Sequence, residues 1–181
     1  MRNKTNTQEI DKPKYNEWHA DNRAEIINHI NARHSIYLYS KYGMGKTHFL
    51  YYIANQYNKM NKQVFVILSA NIHDQLINEI KYNKATSEAQ ISVTTKMRDA
   101  ELLFIDDLGN EVMTDFLHEN MSNVIDYRYR NELPTFITSN YNLRELYKKW
   151  QPKIGDIKAG QLVSRIKDFG EIELMSKNWR A

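Results

Sequence analysis

The chain contains no cysteine, which excludes disulfide bridges, thiolate zinc sites and a cysteine nucleophile. It has no apolar run near the length of a membrane span. Its opening residues, Met1-Arg2-Asn3-Lys4-Thr5-Asn6, lack the apolar core of a secretory signal. The expectation is a cytoplasmic protein with no membrane partner. It also lacks a strong charge of one sign: 25 Lys and Arg against 22 Asp and Glu leave a net +3. That balance permits contact with nucleic acid without arguing for it. Internal repeats are absent. What remains, 41% hydrophobic and 26% charged over 181 residues, is the composition of one soluble domain with a real core.

The most informative stretch follows the apolar run Ile36-Tyr37-Leu38-Tyr39. Ser40-Lys41-Tyr42-Gly43-Met44-Gly45-Lys46-Thr47 then opens into His48-Phe49-Leu50-Tyr51-Tyr52-Ile53-Ala54, which reads as a helix. Strand, tight glycine loop and a helix opening with Lys-Thr make a phosphate-binding loop. Small residues let the backbone curl so that N–H groups converge, and the helix N-terminus adds positive potential there. In this reading Lys46 reaches the β- and γ-phosphates of ATP and the Thr47 hydroxyl holds Mg²⁺. Ser40 stands where the pattern has its first glycine. Serine fits at negative φ and is strained at positive φ. The plain alternative is an ordinary glycine turn with Lys46 as a solvated charge.

A second element supports the first. Glu101-Leu102-Leu103-Phe104-Ile105-Asp106-Asp107-Leu108-Gly109 predicts a buried strand that delivers two carboxylates at its C-terminal edge. Ligands bind at that edge of an open parallel sheet. Asp106 suits Mg²⁺ and Asp107 suits a water molecule that it orients or deprotonates. Gln63 to Ser69 and Thr135-Phe136-Ile137-Thr138-Ser139-Asn140 read as further buried strands, the latter bringing the Asn140 amide near a γ-phosphate and attacking water.

Residues 1 to about 13 read as a polar tail, before Tyr15, Trp18 and His19. Trp18 is a packing anchor or part of an adenine-flanking segment. A helix is expected over Ala24–Ile30. Asn71 is the expected cap of a helix from Ile72 to about Tyr82. Lys81 to Arg98 is basic and partly helical, a solvated face or a surface for single-stranded nucleic acid. Helical periodicity runs from Met113 to about Arg130 and stops before Pro134. A short helix from Leu143 should end near Trp150, broken by Gln151-Pro152-Lys153-Ile154-Gly155. Another helix spans Ala159 to about Asp168, followed by an alternating strand, Glu171 to Met175.

Tyr42-Gly43-Met44-Gly45-Lys46-Thr47, Phe104-Ile105-Asp106-Asp107-Leu108-Gly109, Thr135 to Asn140 and Asn178-Trp179-Arg180 together resemble bacterial replicative-helicase loaders of the DnaC/DnaI type. These are AAA+ ATPases, kin of the IstB transposition helper. The resemblance runs from about Ile36 to Arg180. It implies an α/β, three-layer P-loop NTPase core with a parallel sheet of about five strands and little or no helical lid. It divides the chain into a tail and lead-in helix (1–33) and an AAA+ ATPase domain (34–181). ATP would sit on Ser40, Lys41, Tyr42, Gly43, Met44, Gly45, Lys46, Thr47 and His48, with Arg180 as a sensor-2-like arginine. Thr47 and Asp106 would hold Mg²⁺. Asp107, Asn140 (sensor 1) and Arg165 (an arginine finger serving a neighbouring subunit) would be catalytic, so hydrolysis would depend on homo-oligomer assembly. The implied partners are a replicative DNA helicase and single-stranded DNA. Residues 1–33 are shorter than the helicase-binding domain of typical loaders. Two other functions remain open at this point: a nucleotide-binding helicase adaptor or inhibitor with little hydrolysis, and an IstB-like transposition helper acting on duplex DNA.

Overall fold

The computed structural model describes residues 23–32, 34–85 and 92–176. The tail with Trp18, part of the basic interval and Asn178-Trp179-Arg180 lie outside the described residues.

Among the described residues five strands form one sheet: β1 (Ile36–Tyr39), β2 (Val64–Leu68), β3 (Leu102–Leu108), β4 (Thr135–Ser139) and β5 (Glu171–Glu173). Their order is β2-β3-β4-β1-β5, and all neighbours are parallel. Parallel neighbours need long crossovers, and helices supply them. In chain order the described helices are α1 (Arg23–Asn31), which precedes β1, and the crossover helices α2 (Lys46–Lys59), α3 (Ser69–Ala85), α4 (Val93–Asp99), α5 (Asp115–Arg130), α6 (Leu143–Ile154) and α7 (Asp156–Lys167).

A sheet wound this way buries both faces, which is why its central strands are apolar throughout rather than alternating. Ile26 of α1 and Phe49, Leu50 and Ile53 of α2 pack on Leu38, Phe104 and Phe136. The Phe104 and Phe136 rings stack with centroids 4.7 Å apart. Leu117, Met121 and Ile125 of α5, Trp150 of α6 and Leu162 of α7 cover Leu103, Ile105 and Ile137 on the other face. The expected three-layer core with its five parallel strands is present. No described helix is long and apolar enough to cross a membrane.

Three expectations about helix ends need correction. α3 begins at Ser69, directly off β2, so Asn71 lies inside its first turn instead of capping it. The Ser69 hydroxyl is turned inward and donates to the Asp107 carbonyl at 2.7 Å, welding the strand–helix junction to β3. α6 continues through Pro152 to Ile154. So close to a helix end a proline removes only one donor, and the stop falls at Gly155, whose φ of +84° the glycine tolerates. α7 therefore starts at Asp156 rather than Ala159. The last strand is also shorter than its pattern: β5 ends at Glu173, followed by a bond from Leu174 N–H to the Tyr39 carbonyl at 2.8 Å.

Arg128 of α5 is fully buried. Its guanidinium donates to Thr135 Oγ1 and to the carbonyls of Met97, Arg98, Ala100 and Pro134. It thereby closes the end of α4 and fixes the start of β4. Burial pulls its pKa down to about 10.

Candidate active site

The loop between β1 and α2 turns on Gly43 (φ +81°) and Gly45 (φ +85°), a backbone that side-chain-bearing residues rarely adopt. Ser40 is not among the described positive-φ residues, so its place in the pattern carries no backbone strain. It is buried, and its N–H donates to the Ser139 carbonyl at 3.2 Å, prolonging the β1–β4 ladder. α2 starts at Lys46, with Gly45 as an N-cap that offers no side-chain acceptor. The positive end of the helix thus faces the loop without a carboxylate or hydroxyl of its own cap in front of it.

Lys46 is buried, and its ammonium lies 2.7 Å from the Ser40 carbonyl, 3.0 Å from the Lys41 carbonyl and 2.8 Å from Asn140 Oδ1. Asn140 follows β4, and its Nδ2 donates to Asp107 Oδ1 at 2.6 Å. One continuous chain, Lys46–Asn140–Asp107, therefore joins the loop to the ends of β4 and β3. A second chain runs beside it. Thr47 Oγ1 donates to Asp106 Oδ1 at 3.2 Å, Thr138 Oγ1 donates to the same oxygen at 2.5 Å, and the Asp107 N–H donates to Thr138 Oγ1 at 2.9 Å.

Consecutive residues of a regular strand point to opposite faces. Asp106 and Asp107 escape that rule because β3 is irregular at this point. Ile105 pairs with Ile137 and Leu108 with Ser139, leaving β3 one extra residue, and Asp107 takes a left-handed φ of +60°. Aspartate tolerates that region better than most residues, and such local strain concentrates at functional sites. The bulge delivers both carboxylates to one edge.

Asp106 is buried, and loss of solvation raises its pKa above the usual carboxylate range. The Thr138 and Thr47 hydroxyls pull the other way, the Asp107 charge adds to the rise, and Lys46 offsets it. A buried carboxylate beside a threonine hydroxyl fits a Mg²⁺ ion, which takes one or two carboxylates and completes its shell with phosphate and water oxygens. The glycine-turned loop, the uncovered helix start and the Lys46 ammonium fit a phosphate chain. At the rim Tyr42 is 63% exposed, and a hydrogen bond to Tyr141 raises its pKa.

The structure thus gathers Ser40, Lys46, Thr47, Asp106, Asp107 and Asn140. Arg165 stands apart from that network. On α7, its Nε donates to Asp126 Oδ1 at 2.7 Å and its guanidinium carbon lies 5.4 Å from the centre of the Tyr129 ring. Arg180 lies outside the described residues. Sequence reasoning missed Thr138, although a hydroxyl within a buried strand was the available signal.

Comparison with known proteins identifies the family. The model of the bacterial DnaA ATPase domain matches residues 13–148. The replicative helicase loader DnaI of Bacillus subtilis is 27% identical over 154 residues, 82% of this chain and 48% of that protein. The loader DnaC of Escherichia coli K12 is 27% identical over 116 residues, 64% of this chain and 46% of that protein. The chain spans about half the length of these curated relatives. Among solved structures, the replication initiator DnaA bound to AMPPCP and single-stranded DNA superposes with a TM-score of 0.71 at 16% identity, over 92% of this chain and 51% of that one. Fold, phosphate loop and family match converge: this chain belongs to the bacterial DnaA ATPase-domain family of AAA+ proteins, the group that includes the DnaC/DnaI-type helicase loaders.

Proposed function

We propose that this chain is a DNA-replication ATPase that binds ATP and Mg²⁺ and acts as a helicase loader, or a loader-like remodeller, on single-stranded DNA. The observation that carries the ATPase reading is the pair of hydrogen-bond chains, Lys46–Asn140–Asp107 and Thr47–Asp106–Thr138, meeting at the C-terminal edge of the sheet, and the similarity to DnaI and DnaC supports the loader reading. The Ser40–His48 segment wraps the phosphates, and the Lys46 ammonium meets the β- and γ-groups. Thr47 and Asp106 hold Mg²⁺, which neutralises phosphate charge when bound. Asn140 fixes the Asp107 carboxylate, and Asp107 orients a water molecule and takes its proton.

Arg165 acts on the site of a neighbouring copy, so turnover needs assembly, and Arg180 reads the nucleotide in its own chain. Residues 34–181 form the ATPase domain and 1–33 its lead-in. The partners are a replicative helicase and single-stranded DNA, in the cytoplasm.

The test is ATP hydrolysis by the purified chain, with and without single-stranded DNA, for wild type, Lys46→Ala and Arg165→Ala. DNA-stimulated turnover that rises more than linearly with protein concentration and disappears in both variants is expected. Nucleotide binding without turnover in any condition would replace the ATPase with a nucleotide-gated adaptor.

A further inference from the structure

The carboxylate of Glu111 is a buried acid for which the proposed reaction has no use. It lies in the loop after β3, is 3% exposed, and among the described residues none of its hydrogen-bond partners is a basic side chain. Its two oxygens take two donors from different parts of the fold. The Gly109 N–H donates to Oε2 at 2.7 Å and the indole N–H of Trp150, on α6, donates to Oε1 at 2.8 Å. Burying a carboxylate is costly unless its oxygens are satisfied, so both bonds are needed to keep it there.

Gly109 ends the turn that carries Asp107. Its φ is +100°, and an added Cβ would lie 2.7 Å from Tyr141 Cδ2 and 2.9 Å from Leu146 Cδ1. The Asn110 N–H donates to the Asp107 carbonyl at 3.3 Å, and the Asn110 amide donates to Asp107 Oδ2. Trp150 is completely buried. It belongs to the helix that begins just beyond Asn140, capped by Asn142 and Glu145 in a reciprocal box. The two sides of the Asp107–Asn140 bond are therefore referred to one rigid body. Asn140 reaches α6 through the chain, and Asp107 reaches it through Gly109, Glu111 and Trp150.

We infer that Glu111 is a positioning residue: by clamping Gly109 to Trp150 it holds Asp107 where Asn140 and the attacking water can meet it. The inference rests on the proposed ATPase reading of the site. Displacing a reacting group by about 1 Å can cost on the order of 100-fold in rate, so a loosened turn should slow chemistry while leaving phosphate contacts intact.

Glu111→Gln tests it. The amide oxygen can satisfy Gly109, but the NH₂ group then opposes the Trp150 N–H, donor against donor. The expected result is kcat reduced at least tenfold with KM for ATP within twofold of wild type. Trp150→Phe removes the opposing donor, and the glutamine NH₂ can face the phenyl ring. The double variant Glu111→Gln/Trp150→Phe should recover most of kcat. Circular dichroism and thermal unfolding establish that each variant folds.

The inference is overturned if folded Glu111→Gln turns over normally, if KM and kcat shift together, or if the double variant is worse than either single one. A wild type with no turnover that depends on Lys46 removes the ATPase reading and this inference with it. Wild-type turnover with an indifferent Glu111→Gln removes the inference alone.

Discussion

Replacing Arg128 with methionine should destabilise the fold by an amount its hydrogen bonds allow to be worked out. Methionine keeps an unbranched apolar stem in the space of the arginine stem, so the change falls on the guanidinium. Five acceptors lose their donor: Thr135 Oγ1 and the carbonyls of Met97, Arg98, Ala100 and Pro134. The bonds to Arg98 and Pro134 are only part-buried, and those carbonyls can regain water. The other three are buried. An unsatisfied buried acceptor costs about 1–3 kcal/mol. Relief of the guanidinium's own desolvation, visible in its lowered pKa, argues for the low end of that range. The expected loss is thus about 3 kcal/mol, or about 6–12 °C in Tm for a chain of this size. Arg128→Lys should fall between the two, since one ammonium cannot span a fork of carbonyls. Urea unfolding followed by far-ultraviolet circular dichroism measures both. A methionine variant within about 1 kcal/mol of wild type would refute the reasoning, because desolvation would then cancel the carbonyl contacts.

Four further outcomes are expected. Asp106→Asn should stabilise the nucleotide-free chain at neutral pH and abolish Mg²⁺-dependent turnover. The raised folded pKa of Asp106 makes the native state hold its proton longer than the unfolded chain, so its contribution is present in acid and is lost as pH rises through that pKa. The Tm gain of the asparagine variant should therefore vanish below the usual carboxylate range and grow toward neutrality. Thr138→Val deletes a hydroxyl that serves both Asp106 and Asp107, and should cost about 1–3 kcal/mol in chemical unfolding together with most of the turnover. Gly109→Ala should cost about 1–3 kcal/mol, since the new methyl meets Tyr141 and Leu146 in a backbone conformation alanine resists. Asp126→Asn loosens a half-exposed ion pair with little effect on Tm; if Arg165 serves a neighbouring copy, turnover should then rise at low protein concentration.

Much of this was legible in the sequence because the signals were local. The apolar runs at Ile36 and Leu102 and the Gly43–Thr47 loop announced strands and a phosphate loop by composition alone. Asp106, Asp107 and Asn140 were placed at one edge because a parallel sheet brings its strand ends together. The bulge at Asp107 was not legible: alternation is a property of two paired strands, and only the register with β4 reveals the extra residue. Pro152 misled for a related reason, since what a proline costs depends on how much helix lies beyond it. Arg128 and Glu111 were invisible because each is defined by partners distant in the chain, carbonyls in one case and an indole in the other. Arg165 could be named only through a resemblance, and its pairing with Asp126 is a tertiary fact.

The placement of β1 bears on how the chain acquires its site. Ile36 pairs with Phe136 and Tyr37 with Glu171, so a strand near the start waits for neighbours near the end. β2 and β3 can pair earlier, with only α3, α4 and their links between them. During synthesis the phosphate loop is therefore made early and can meet β3 through Thr47 and Asp106, but the strand before it stays unpaired until β4 emerges and brings Thr138 and Asn140. Non-local pairing of this kind folds slowly. If the chain binds ATP as proposed, a fragment ending before β4 should gain no protection from it in limited proteolysis.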